Sequence, residues 1–511
     1  MKHKAQKLFQ ASCYMLHKIS RSPSRSFFLF TAAFLFGVAL NSIILGVHMI
    51  FIIAGLSLSI FLVVIFWNSS AIKVFLLCAI FFFVGMARLE LDIRPGDSRL
   101  YARKDERISF EGTVIKSSKG IRWLVLEASI EFLLPYREEK INDRILIFLP
   151  PARDYEIGEK LLVSCDLRES KEWPRRSPRW ICLPESVRYL GRVDSGVFTG
   201  LISDARARFF DGLRASFPEP QFSLAGGLLL GNNFGFSQKL MDSFVRTGTA
   251  HIVAVSGWNV TMISNFVLIA LLSLGCSRRR TLPALIVFII FYALLTGGGS
   301  SIVRAGIMGA MAGTAWHIGR SYSVKNALAA AAVVMVFVSP RVLLFDAGFA
   351  LSFAATAGLM IFAQKFKYSK KENSDAHILL WIKETTAQTA AAMVLTAPLI
   401  LYLFGNFSFV APLANLLILP VVPLATALSF LAACAGMISS YAGELMGLLA
   451  WLPLTYIIRS AEILAALPIA SVNIGNLYTR LLILATVPAI LAIRLLIKRR
   501  KDKSGWNIVE V

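Results

Sequence analysis

Residues 246–261 read RTGTAHIVAVSGWNVT, and they open a long apolar segment that runs to about residue 275. Four polar side chains, Arg246, His251, Ser256 and Asn259, fall within about four helical turns of one another. A polar group without a partner costs several kcal/mol in hydrocarbon, so these side chains should face protein or water rather than lipid. Gly248 and Gly257 bracket the cluster, which predicts an interrupted helix or a close backbone contact at the mouth of a membrane segment. The same residues also suit a tight helix–helix contact with its hydrogen bonds satisfied. Matching segments further along the chain bear on that choice.

Composition defines the surroundings of this stretch. The chain has 511 residues, 56% hydrophobic and 16% charged, with mean hydropathy +0.64. A soluble protein of this length carries about 25% charged residues. Apolar runs of about 18 residues or more recur along the chain, long enough to cross a bilayer. The sequence therefore predicts a polytopic α-helical membrane protein. The net charge is +22, but residues 101–200 are nearly neutral, with 18 Lys and Arg against 16 Asp and Glu. The remainder holds 35 against 15. Most of that excess lies in short loops and at the termini, where it reports membrane orientation and is not by itself a nucleic-acid signal.

Cysteines stand at 13, 78, 165, 182, 276 and 434 with no CxxC, and histidines at 3, 17, 48, 251, 317 and 377 with no HxH or HExxH. Neither a zinc site nor a hydrolytic metal centre is expected, and no cofactor is called for.

Residues 1–26 carry six Lys and Arg and no acid, ahead of an apolar run from Phe27 to Gly46. That run exceeds a signal peptide's hydrophobic region, so it predicts an uncleaved anchor with a cytoplasmic amino terminus. Runs at 49–67 and 71–87 follow, making 1–90 an amino-terminal membrane anchor of three spans. The next region, 91–205, is then extracytoplasmic. It changes period, with strand-like alternation at Arg107–Lys116, Arg122–Ala128, Arg144–Leu149 and Glu159–Leu167 and turn signals between. Four or five short strands predict a small OB-like β-barrel inserted between membrane segments. Such folds bind single strands through aromatics over a basic groove. The candidates are Trp123, Phe132, Tyr136, Trp173 and Trp180, with Arg175, Arg176 and Arg179 close in sequence. The competing expectation is that most of these aromatics form the barrel core. Cys165 and Cys182 both fall in this region, on the oxidising side of the membrane, and are candidates for a disulfide.

Residues 206–245 are Gly-rich and amphipathic, too polar in their second half to span, and predict an interfacial segment. Apolar runs resume at 250–275, 282–299, 302–319, 326–345, 347–364, 380–403, 408–438, 445–468 and 479–497. The strongly basic short stretches are Arg278–Arg280, Arg320 with Lys325, Lys365 to Lys371, and Lys498–Lys501. Counted from the amino terminus, all fall on its side of the membrane. The expectation is about 12 spans with both termini cytoplasmic, a domain at 246–500 and a cytoplasmic tail at 501–511. Pro420 and Pro423 break the run at 408–438.

Ionisable and amide groups sit inside several runs: Arg304 in SSIVRAGIM (300–308), Asp346 in DAGFALSF (346–353), and Asn415 in ANLLILP (414–420). Such groups mark a pathway or pair with one another, and Arg304 with Asp346 suits a structural ion pair. A basic, polar lining is also what a phosphate backbone would need to cross a membrane.

These segments together resemble the ComEC competence family, the membrane channel of bacterial DNA uptake. The resemblance rests on GTAHIVAVSG (248–257), SIVRAGIM (301–308), Asn326 with Pro340, DAGFALSF (346–353) and Ala414–Asn415 through Pro420, in that order. It covers about 225–440. Two departures stand out. The family has Leu-His where this chain has Trp258-Asn259, so a second histidine's role does not carry over. The sequence also ends soon after its last run, where a β-lactamase-like metal hydrolase domain is usual.

The resemblance implies a non-enzymatic channel in the bacterial inner membrane that passes single-stranded DNA inward during natural transformation. His251, Ser256, Asn259, Arg304, Asp346 and Asn415 would line it. Expected partners are single-stranded DNA, the lipid bilayer, a DNA receptor, a separate nuclease, a separate cytoplasmic ATPase or helicase, and further copies of the chain. This sequence holds no GxxxxGK[ST] pattern of its own. One rival is a transporter of another anionic substrate, such as a lipid-linked precursor. Another is a Ser256/His251 hydrolase. Five residues on a helix turn through about 500°, leaving those two side chains roughly 140° apart, and the flanks are not GxSxG.

Overall fold

A computed structural model describes residues 22–44, 48–92, 100, 106–119, 124–134, 140–149, 158–169, 180–192, 197–231, 236–253, 257–362, 377–476 and 479. In chain order the elements begin with α1 (Pro23–Ile44), α2 (Met49–Ile65) and α3 (Ser70–Asp92). Five strands follow: β1 (Arg107–Lys119), β2 (Leu124–Leu134), β3 (Lys140–Leu149), β4 (Glu159–Glu169) and β5 (Trp180–Arg192). Next come α4 (Val197–Ser216), α5 (Gln221–Leu230), α6 (Gln238–Arg246), the single turn α7 (Ala250–Val253) and α8 (Gly257–Ser273). Then α9 (Arg278–Leu295), α10 (Ser300–Ile318), α11 (Val324–Val338), the short α12 (Val342–Phe345), α13 (Ala347–Phe362) and α14 (His377–Phe404). The last are β6 (Asn406–Ser408), α15 (Ala411–Ile418), α16 (Val422–Ile438), α17 (Ser440–Ala465) and β7 (Ser471–Asn473). The described residues of the apolar runs up to residue 468 fall mostly on helices, the run at 408–438 beginning on β6; the run at 479–497 lies, but for its first residue, outside the described residues. Four helices are long and apolar enough to cross a membrane among the described residues, and α15 with α16 makes a fifth, bent by 50°.

The chain divides into two compact units, Met1–Phe210 with Ser264–Asp346, and Asp211–Ile263 with Ala347–Val511. In the first unit α1 and α3 meet where Gly37 and Gly85 leave room, because a methyl at either would collide with the backbone of Phe82 or Phe34. In hydrocarbon such close approach replaces the hydrophobic effect as the source of helix association. Both ends of α11 are tied to this pair. Ser24 and Asn326 exchange side-chain hydrogen bonds at its start. At its end the Arg88 guanidinium donates to the Phe337 and Val338 carbonyls at 2.6 and 2.9 Å, groups that a helix terminus leaves without partners. Arg341, nearly buried, pairs with Asp92 at 2.9 Å beside them.

The barrel also belongs to this unit. Its strands close in the order β1-β2-β3-β5-β4, with β3 and β5 parallel and the other pairs antiparallel, an OB-type arrangement. Alternation builds the core: Leu161, Val163, Cys165 and Leu167 point inward from β4 against Phe110, Leu126, Ile130, Ile145 and Ile147. Four strands match the sequence reading. The fifth, β5, is obscured in sequence by Pro184 and by a register shift opposite Ser164 and Cys165. Cys165 and Cys182 form a disulfide across β4 and β5 inside the barrel, with Cα atoms 5.6 Å apart. Glu111 is buried too, with Lys160 Nζ at 3.4 Å.

The second unit is helical. The carboxy-terminal turns of α4 pack on α16 and α17 through Gly212, Ser216, Gly436, Gly443 and Gly447. A methyl at Gly212 would lie 2.5 Å from the Ala433 carbonyl oxygen, and one at Gly443 would lie 2.7 Å from Gly436 Cα. The expected interfacial segment 206–245 is corrected here. Its middle helix, α5, is buried at every residue but Phe222, as befits a helix apolar all round. The end of α4, which buries Phe209, Gly212, Leu213 and Ser216, and α6, which buries Leu240, Ser243 and Phe244, are amphipathic.

Candidate functional site

The opening motif folds into a tight corner of the second unit. Helix α6 ends in a Schellman motif: Thr249 N–H donates to the Phe244 carbonyl at 2.9 Å, and Gly248 N–H to Val245 at 3.1 Å. Gly248 sits at φ +71°, the left-handed position that this motif requires. A methyl there would also lie 2.8 Å from Ala411 Cβ, so the corner is seated directly on the start of α15. The adjoining hydroxyls satisfy each other. Thr247 Oγ1 donates to the Ser243 carbonyl at 2.8 Å, which leaves its lone pairs to accept from Thr249 Oγ1 at 2.7 Å. Both threonines are wholly buried.

His251 follows one turn later and is exposed. Its Nδ1 lies 3.1 Å from the Gly248 carbonyl oxygen, so Nδ1 carries the proton and Nε2 presents a lone pair. Asn259 is different. It is 1% exposed and its Nδ2 donates at 3.0 Å to the Leu228 carbonyl, one of the acceptors left over at the end of α5. Asn259 is therefore a packing residue that fastens α8 to α5, which corrects its assignment to a lining. Ser256 lies outside the described residues.

Helix α15 buries Ala411, Ala414, Asn415 and Ile418, one face at helical spacing. Asn415 is 7% exposed, and its Oδ1 has no hydrogen-bond partner among the described residues. Beyond it Pro420 cannot donate to Leu416, and Val421 N–H turns back to Ile418 instead, at 3.0 Å. The Tyr456 hydroxyl, from α17, donates to the Leu417 carbonyl at 3.4 Å across this break.

A feature with no signal in the sequence closes the same end of this unit. Strands β6 and β7, three residues each, pair antiparallel through Asn406–Asn473, Phe407–Val472 and Ser408–Ser471. The Phe409 N–H extends the pairing to the Ala470 carbonyl at 3.1 Å, and Ile474 N–H bonds Gly405 at 2.7 Å. Such short strands carry no readable period. This clasp joins the ends of α14 and α17, and Arg246 Nη2 lies 3.4 Å from the Leu467 carbonyl at its base.

Arg304 and Asp346 belong to the first unit. Ser300 Oγ donates to Asp346 Oδ2 at 2.6 Å, and Arg304 Nη1 lies 3.5 Å from Met308 Sδ on the next turn. Of the barrel candidates, Arg175, Arg176 and Arg179 lie outside the described residues. Trp180 is wholly buried in the barrel core, its indole N–H donating to Asp143 Oδ2 at 3.2 Å. It cannot offer a ring face to a base, which corrects its assignment to a binding surface. Among the described residues no three His, Cys, Asp or Glu side chains gather so as to hold a metal ion.

Comparison with known proteins places this architecture. The family profile described as competence protein matches residues 228–500. ComE operon protein 3 of Bacillus subtilis (strain 168) is 26% identical over 207 residues, 40% of this chain and 25% of the relative. Competence protein ComA of Neisseria gonorrhoeae is 31% identical over 205 residues, 39% of this chain and 28% of the relative. The matched part thus spans about a quarter of the length of these curated relatives. No solved structure matches the chain. With the profile matching more than half of its residues, including the Gly248 corner and the broken α15–α16 helix, this integral membrane protein belongs to the competence protein family.

Proposed function

We propose that the chain is a non-enzymatic channel that carries single-stranded DNA inward across the bacterial cytoplasmic membrane in natural transformation. The observation that carries the reading is that the profile match covers the Gly248 corner, the exposed His251, the buried Asn415 and the broken helix as one stretch of chain. Discontinuous helices with polar groups at a break recur where polar cargo crosses a bilayer. The topology read from the basic loops supports it, with 12 spans and both termini inside. In the first unit, contacts group the starts of α1 and α11 at Ser24 and Asn326, and the ends of α3 and α11 at Arg88. In the second, the Gly248 corner, the start of α15 and the clasp share one end. These groupings join positions that the topology assigns to one side of the membrane, the corner and clasp to the outer side, whereas Gly212 and Ser216, assigned to the outer side, pack against Gly436, Gly443 and Gly447 around the turn assigned to the inner side. On this reading the barrel is external, while a receptor, a strand-degrading nuclease and an energy-supplying ATPase or helicase come from other chains. Deleting the gene in its host and following labelled DNA tests the proposal. Internalised label should disappear while surface-bound label persists; undiminished uptake in the deletion strain would sink it.

A further inference from the structure

Resting on that channel reading, we infer that α4 crosses the membrane and that its charged face lines a water-filled path for the DNA strand. The crossing follows from where the two ends of α4 lie. Five steps of chain separate Arg192, the last residue of the barrel, from Val197, the first of α4. Fully extended they reach about 18 Å, short of a hydrocarbon core of about 30 Å. The helix therefore starts on the barrel's side, which the topology makes the outer one. Its far end lies near the inner one. Ser216 Oγ is 3.0 Å from the Ala432 carbonyl oxygen, and a methyl at Gly447 would lie 2.2 Å from the Ser216 carbonyl oxygen. Both partners stand within about 12 Å, along their helices, of the Ser439 turn that the topology puts inside. From there the chain climbs back along α17: Gln221 Nε2 donates to Thr455 Oγ1 at 2.9 Å, and Arg246 Nη2 lies 3.4 Å from the Leu467 carbonyl oxygen. Between Gly447 and its end at Ala465, α17 rises about 27 Å, close to the thickness of the hydrocarbon core. The stretch through α5 and α6 thus returns to the outer side, where the Gly248 corner sits. Two crossings are added, and every later span keeps its direction.

Helix α4 has 20 residues, about 30 Å, enough for this crossing, but its charges hide it from any hydropathy reading. Asp204, Arg208 and Asp211 recur at i, i+4 and i+7, Arg214 stands one turn beyond Asp211, and all four are exposed. Phe209, Leu213 and Ser216, on the other side of the helix, are buried. A helix lying flat on one surface would also show such a stripe, but both of its ends would then share that surface. At membrane depth a charged stripe is tolerated against water or protein, not lipid. Arg208 stands near the middle of the helix, where that constraint is strongest. The two guanidiniums on the stripe suit phosphates, and the two carboxylates keep the hold weak enough for a strand to move on, as conduction requires.

The test uses the full chain with Cys13, Cys78, Cys276 and Cys434 replaced by serine, single cysteines added back, and a charged, impermeant thiol reagent. Pro218→Cys, at the exposed tip after α4, should stay unmodified in intact cells and react in inverted membrane vesicles. Reaction from outside overturns the crossing. In nanodiscs, Arg208→Cys and Asp211→Cys should react as fast as Arg188→Cys on the barrel surface. Leu448→Cys, exposed on α17, should react about 100-fold more slowly, because the reactive thiolate is disfavoured in lipid. If Arg208→Cys and Asp211→Cys are as slow as Leu448→Cys, lipid or a second copy covers the stripe and the path is overturned. Oligothymidylate should protect both cysteines, and undiminished labelling overturns its assignment to this path. Each of these failures leaves the channel reading standing if deletion of the gene still abolishes uptake. Undiminished uptake in the deletion strain overturns both.

Discussion

The barrel and the contact of α4 with α16 and α17 bury different kinds of side chain. The barrel interior is Trp180, Phe110, Leu126, Ile130, Ile145 and Ile147. Where α4, α16 and α17 meet, the packed residues are instead small, Ala432, Ala433, Gly436, Gly443, Gly447 and Ala450, and larger ones, Leu454, Ile457 and Ile458, are buried only further along α17. Leu448 and Leu452 on α17 are 70% and 69% exposed. One chain thus uses two solvents. Facing water, the barrel gains by hiding large apolar area. Facing hydrocarbon, a helix gains nothing by hiding leucine and gains by bringing backbones together over small residues.

Four substitutions test that contrast, from largest to smallest expected effect. Trp180→Ala should cost about 3–5 kcal/mol by opening a cavity in the barrel, and it also removes the indole N–H that donates to Asp143 Oδ2. Limited proteolysis of the full chain should then cleave within 107–192 while the helical bands survive. Leu448→Arg comes next. On a water-exposed surface it would change stability by no more than about 0.5 kcal/mol, but in lipid it should cost roughly 3 kcal/mol. A large drop in membrane-extracted protein is expected, and full accumulation would remove α17 from the bilayer. Gly436→Leu should cost about 1–3 kcal/mol by forcing α16 from α4. A lowered thermal midpoint in detergent reports it, and no shift would mean the small-residue contact contributes little.

The smallest effect belongs to Asn415→Leu. Removing a buried oxygen without a partner should leave stability within about 1 kcal/mol of the parent or raise it. If the amide serves transport, DNA uptake should fall although abundance does not. Loss of both would make Asn415 a structural residue, held through a contact formed in the bilayer.

Much of this was legible in the sequence because period and hydropathy report the solvent that each face meets. The apolar runs marked the helices, and alternation in Glu159–Leu167 marked β4. Partners were less legible than elements. Asn259 and His251 look alike as polar residues at the mouth of an apolar run, yet one is consumed by the Leu228 carbonyl and the other is exposed. Nothing local to residue 259 names residue 228. Trp180 failed for the same reason: an aromatic beside arginines in sequence turns inward because β5 pairs with β3 and β4. Helix α5 departs from the interfacial expectation because an apolar decapeptide without a polar face has no reason to lie at an interface.

The corner at Gly248 has a consequence for biosynthesis. Its seat, Ala411, lies about 160 residues further along the chain. At roughly 5–20 residues per second, the ribosome delivers that seat about 10–30 seconds after the corner leaves it. During that interval α5 and α8 are already made, tied through Asn259, while the far side of the corner faces no partner from its own unit. The early half of the second unit must therefore be sheltered by the insertion machinery or by lipid until α15 arrives. That makes the order of synthesis part of how this half of the chain reaches its fold.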